Sequence, residues 1–178
     1  MHEPLPPDLA PAVAPVEHGA YGRALRACAR VLALAGGLVF IALVGMSIVS
    51  IVGRKIASAP VPGDVELLQM CAAFASASFF AWCHLNHGDV RVDFFTQHLR
   101  EITVRRMDGV GSVLVGLFGA LIAWRSFAGA MNLREFEETS PILGLPLWIA
   151  QVLMVPGFVV LALAGFYMAS RLLRGEKA

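Results

Sequence analysis

Apolar and polar positions in this chain fall into long blocks. Four apolar blocks, about 31–52, 65–85, 109–131 and 145–172, are separated by short stretches that hold most of the charge. Each block is close to or above the roughly 20 residues that a helix needs to cross ~30 Å of hydrocarbon. The pattern predicts four transmembrane helices.

Small residues interrupt the blocks. Gly36 and Gly45 lie in the first, Ala72 and Ser76 in the second, and Ser112, Gly116 and Ala120 repeat every four residues in the third. Small side chains let helix backbones approach closely inside a membrane, so these are the candidate helix-packing positions. The block ends are marked as well. Arg54 and Lys55 close the first, and Pro60-Val-Pro-Gly63 reverses the chain. Asp64 is placed to cap the second helix, and Glu66 falls in its first turn, where the helix dipole favours a carboxylate. Glu66 reads equally as a polar contact at the outer face, with Arg54 as its candidate partner. Arg125, near the far end of the third block, is expected to snorkel to the headgroups. Pro146 suits a first helical turn, and Pro156-Gly157 predicts a kink in the last helix.

The connections carry the remaining signals. From Val92 to Met107, Val92, Phe95, Leu99 and Ile102 recur at helical spacing, with Arg100, Arg105 and Arg106 elsewhere on the wheel. This predicts an amphipathic helix lying in the membrane interface, with Asp93 as its cap. The connection before the last span is acidic, with Glu135, Glu137 and Glu138 as candidates for contact with a soluble partner, or simply solvated. Trp148 reads as an interfacial anchor. Residues 1–22 are Pro- and Ala-rich, lack the pattern of a signal peptide, and read as a flexible tail.

Composition agrees with a bilayer as solvent. Of 178 residues, 57% are hydrophobic and 15% charged, with a net charge of +1. A soluble domain of this size has no way to hide that much apolar surface, and the charge balance gives no reason to expect nucleic-acid binding. Charge placement predicts topology. Arg23, Arg26, Arg30, Arg91, Arg100, Arg105, Arg106, Arg171, Arg174 and Lys177 fall on one side, against Arg54, Lys55, Arg125 and Arg134 on the other. The positive-inside rule then places both termini in the cytoplasm.

The expected fold class is therefore an all-α membrane protein. A single four-helix membrane domain spans 23–174, with an interfacial helix between the second and third spans and a short tail at 175–178. Reactive chemistry is not in evidence. Cys28, Cys71 and Cys83 form no CxxC unit, and no P-loop, dinucleotide fingerprint or HExxH motif occurs. His84, His87 and His98 sit at a helix exit or beyond it, not inside a span. No catalytic, metal or cofactor residues are expected, and a scaffold fits better than an enzyme.

Several of these features, in order, resemble the small, four-helix (Q-type) membrane subunit of tripartite ATP-independent periplasmic (TRAP) transporters. They are Arg54 after the first span and Glu66 opening a small-residue-rich second span. Val90-Arg-Val-Asp93 follows it, where the family typically reads His-Ile-x-Val-Asp. The sequence Ser140-Pro-Ile-Leu-Gly-Leu-Pro-Leu-Trp148 and then Pro156-Gly157 lead into the last span. The chain departs from the family in carrying Asp89 at the histidine position.

The resemblance implies a non-catalytic small permease subunit of a secondary active transporter in the bacterial inner membrane. Its partners would be a large, elevator-type membrane subunit and a periplasmic substrate-binding protein, with uptake of an organic acid coupled to sodium in the large subunit. No cofactor is implied beyond a bound phospholipid. Two alternatives from other classes stay open at this point: a membrane anchor for a redox enzyme, and a small channel that works alone as an oligomer.

Overall fold

The computed structural model describes residues 20–57, 61–86, 88 and 101–174. They form four helices, α1 (Ala20–Ala57), α2 (Asp64–Leu85), α3 (Glu101–Glu135) and α4 (Leu147–Leu173). All four are long and apolar enough to cross a membrane. Helices α1 and α3 outrun their apolar blocks because charged residues at their ends still favour helix. Arg23, Arg26 and Arg30 ride on α1. Arg105 and Arg106 ride on the first turns of α3, so Ile102–Met107 is continuous with the third span and not set off from it. The rest of the expected surface helix, 92–100, including Asp93, Phe95, Leu99 and Arg100, lies outside the described residues. So do 1–19 and 175–178.

The helices are not arranged as a closed bundle. Helix α4 packs against α2 on one side and α3 on the other, while α1 packs mainly on α2. Among the described residues α3 touches neither α1 nor α2. The spatial order is α1–α2–α4–α3, an open layer with α1 and α3 at its edges. Only at the end where α1 begins and α4 finishes does α1 lean over α4, where the Tyr21 and Tyr167 rings lie 5.8 Å apart and Leu25 and Ala29 join the core.

Small side chains bring the helices together. A Cβ at Gly165 of α4 would lie 2.6 Å from the Gly116 backbone nitrogen and 2.8 Å from the Ser112 carbonyl oxygen. One at Gly119 would lie 3.0 Å from the Ala162 nitrogen, and one at Gly157 would lie 2.7 Å from the Ala77 carbonyl oxygen of α2. On α1, Gly36 meets Ser78, whose hydroxyl is satisfied by the Phe74 carbonyl one turn back. Backbones at such separations gain dispersion contacts that larger residues would prevent, and that packing drives helix association in lipid.

The contact line on α3 runs through Ser112, Gly116, Gly119, Ala123, Ser126 and Ala130, all buried. This alternation of four and three follows the 3.6-residue turn. A strict four-residue repeat drifts off the line, so Ala120 faces outward. Gly45 likewise meets nothing within 4 Å, Ser76 is exposed and Ala72 is half-buried. Gly45 and Ser76 lie on faces that the described residues leave uncovered. Helix α4 continues without a break through Pro156.

Replacing Gly165 by Leu should cost about 3 kcal/mol or more, because backbone atoms are slow to yield to overpacking. The same change at Gly45 should leave stability within about 0.5 kcal/mol, as at other unconstrained surface positions. Thermal melts of the two variants in mild detergent, followed by gel filtration, separate these outcomes.

Candidate functional site

The α1–α2 and α3–α4 connections lie at the same end of the layer, opposite the start of α1 and the end of α4, and the polar residues that meet there form the most developed site in the described chain. Asp64 closes the first hairpin. One of its carboxylate oxygens accepts from the Ser50 hydroxyl of α1 and pairs with Arg54 at 3.4 Å. The other accepts from the Val65 N–H at 2.8 Å. The helix cap itself is Gly63, in the left-handed region at φ 72°, so Asp64 is the first residue of α2 and not its cap. Ser50 is buried and also receives the Val61 N–H at 3.4 Å. The expected partner of Arg54 was Glu66; Asp64 takes that place, because the reversal at Gly63 brings it beside α1.

Glu66 instead joins the two hairpins. One of its carboxylate oxygens accepts from the Ile142 N–H at 2.8 Å. The other accepts from the Ser140 hydroxyl at 2.7 Å and the Leu143 N–H at 3.1 Å. Three donors on one carboxylate hold a turn that would otherwise leave backbone N–H groups bare near the membrane surface. Its neighbours lock the turn further. The Ser140 N–H donates to the Leu145 carbonyl at 2.8 Å, the Leu147 N–H donates to the Glu138 carbonyl at 3.1 Å, and Thr139 and Pro146 form an antiparallel bridge. Gly144, at φ 66°, makes the tight reversal possible, and a Cβ at Gly63 would fall on the Leu143 side chain.

The rim of this end is acidic and apolar together. Glu135, Glu137 and Glu138 are all exposed, as are Phe136 and Ile142. Helix α3 ends with the Glu138 N–H reaching back to the Leu133 carbonyl, which sets Glu137 at φ 50°. That position normally belongs to glycine. Trp148 is half-buried beneath the Arg134 guanidinium, 5.6 Å from its ring centroid, a cation–π contact that ties the start of α4 to the end of α3.

An apolar groove of about 450 Å³ opens farther along between α3 and α4, lined by Ala120, Trp124, Phe127, Val159, Leu163 and Phe166. Among the described residues no group of three His, Cys, Asp or Glu side chains comes together as a metal site. The loop end is thus a surface held in a fixed shape by hydrogen bonds within and between the two hairpins. The sequence signalled Glu66 by its place at a helix start, but nothing local pointed to Ser140, 74 positions away.

Glu66→Ala should strip the acceptor from the Ile142 and Leu143 amides and cost about 1–3 kcal/mol, the penalty for leaving such donors unmatched. Hydrogen exchange in residues 138–147 should quicken while the α1 core is unchanged. Glu66→Gln, which keeps one acceptor oxygen, should fall between the two.

Comparison with curated proteins and with solved structures gives no match. A family match, however, covers most of the layer. The family described as tripartite ATP-independent periplasmic transporters, DctQ component, matches residues 43–175. The match runs from the middle of α1 through both hairpins to the end of α4, taking in Asp64, Glu66 and the turn they organise. The chain thus belongs to the DctQ family, as a small permease subunit of a TRAP transporter, a multi-pass membrane protein.

Proposed function

We propose that this subunit is the stationary scaffold of the transporter's membrane part. It braces a large, elevator-type subunit that carries an organic acid together with sodium. It also helps to dock the periplasmic substrate-binding protein that delivers the acid. The observation that carries this reading is the open layer. Helix α1 has large apolar residues exposed along its length, among them Leu34, Leu38, Ile41, Ile48 and Ile51, and α3 has another set. A layer that pairs its helices through small residues yet leaves both edges bare suits attachment to a larger helical protein. The moving part needs something fixed to move against, and a broad, rigid layer enlarges that fixed part.

In this reading the loop end faces the periplasm and both termini face the cytoplasm of a cell with an inner membrane, in keeping with the charge asymmetry. Glu135, Glu137 and Glu138, with Phe136 and Ile142 among them, form the part of the docking surface that this subunit supplies. Glu66 and Asp64 hold that surface in shape. The chain brings no reacting group or cofactor of its own, and the sodium sites belong to the large subunit. A phospholipid acyl chain suits the apolar lining of the α3–α4 groove.

Reconstitution tests this directly. Liposomes with the large subunit, this subunit and the substrate-binding protein should accumulate substrate along a sodium gradient, and liposomes with this chain alone should not. Transport by the chain alone would overturn the scaffold reading. Changing Glu135, Glu137 and Glu138 together to Lys should weaken docking of the binding protein about tenfold and flatten its salt dependence. Glu137→Gly should instead stabilise the chain by about 1 kcal/mol by relieving the left-handed conformation, while weakening docking. A thermal melt read beside a binding titration separates the two effects.

A further inference from the structure

Arg125 occupies an unusual place. It is exposed on α3 and makes no hydrogen bond or ion pair among the described residues. The packing register sets its depth. Gly119 meets Phe158 and Ala162 of α4, and Gly129 meets Gln151, so Arg125 between them is level with about Val155. Two residues on, Gly157 rests on Ala77 of α2. At 1.5 Å per residue, this level is about 12 Å below Leu147, about 17 Å below Asp64 and about 15 Å from Leu85. An extended arginine side chain covers roughly 7 Å. Along α2 the register therefore puts Arg125 about midway between Asp64 and Leu85, deeper than its place near the end of the third apolar block suggests.

The surroundings on that face are apolar. The contact line through Gly119, Ala123 and Ser126 points at α4, which turns Arg125 the other way. Leu114, Phe118 and Leu121 share its side of the helix, with relative exposures of 61%, 60% and 59%. Arginine stays protonated in proteins and presents a planar fork that matches a carboxylate. At mid-membrane such a charge is almost always paired. A lipid phosphate stays at the headgroup level, whereas an acid on a neighbouring helix can sit at any depth.

We propose that the α3 face of Leu114, Phe118, Leu121 and Arg125 docks a transmembrane helix of the large subunit, and that Arg125 pairs there with an Asp or Glu carboxylate at mid-membrane depth. This rests on the reading of the chain as a brace for that subunit. The apolar residues supply contact area, and the ion pair sets depth and rotation, since an unmatched charge on either side penalises any other register.

The test is co-purification of the large subunit with tagged wild-type chain and with Arg125→Leu, Arg125→Lys and Arg106→Leu, in one mild detergent. Wild type and Arg106→Leu should recover the large subunit in equal amount with the chain. Arg125→Leu should recover about tenfold less, in line with the worth of a polar pair between membrane helices, and Arg125→Lys should retain most of it. Undiminished recovery with Arg125→Leu would overturn this proposal while leaving the scaffold reading intact, whereas no recovery with wild type would overturn both. A photoreactive benzoylphenylalanine in place of Leu121, with Arg125 kept, gives a second readout. Crosslinking to an acid-bearing helix of the large subunit is expected, and crosslinking to lipid alone would overturn the proposal.

Discussion

The close approach of backbones along α4 governs the rest of this structure. Gly165 lies against Gly116, and Gly157 lies against Ala77, at distances that leave no room for a side chain. In lipid, where apolar burial alone gives little reason for one helix to prefer another over solvent, such contact decides which helices pair. It commits one side of α4 to α3 and the other to α2. Helix α1 can then reach α4 only where α1 begins and α4 finishes, and the chain opens into a layer where four helices of another sequence would close into a bundle.

That layer shows where so apolar a chain puts its large side chains. Most of its large apolar side chains point away from its own core, which is made largely of alanine. The polar investment is concentrated at one end, where Asp64 closes the first hairpin and Glu66 fastens it to the second. Both carboxylates serve the shape of the loop end, and Glu135, Glu137 and Glu138 stand exposed on its rim. In the proposed reading, scaffold and docking surface are two parts of one device, linked by the helices between them.

The four spans were legible in the sequence because length and apolarity alone demand them, and the family was legible in the order of its motifs. Pairing was less so. The four-residue repeat led to Ala120, whereas the true line shifts to Gly119 and Ala123 because a helix turn holds 3.6 residues. Arg54 had two acids nearby in sequence, and only the left-handed turn at Gly63 settles the choice on Asp64. Glu66 finds its partners across the fold, at a separation that no local pattern encodes. Glu137 stands where a glycine is usual, so the end of α3 gave no glycine signal. The depth of Arg125 follows from interhelical register, which is a property of the packed helices and not of spacing along one of them.

The central claim is that the outward faces of this layer are made to be covered by protein. Labelling with a membrane-soluble photoreactive carbene, read by mass spectrometry, compares those faces in the isolated chain and in the native membrane. The account predicts that Leu114, Phe118 and Leu121 of α3 label strongly in liposomes holding the chain alone and are protected in the native assembly. Equal labelling in both settings would mean that lipid is their permanent neighbour, and would contradict it.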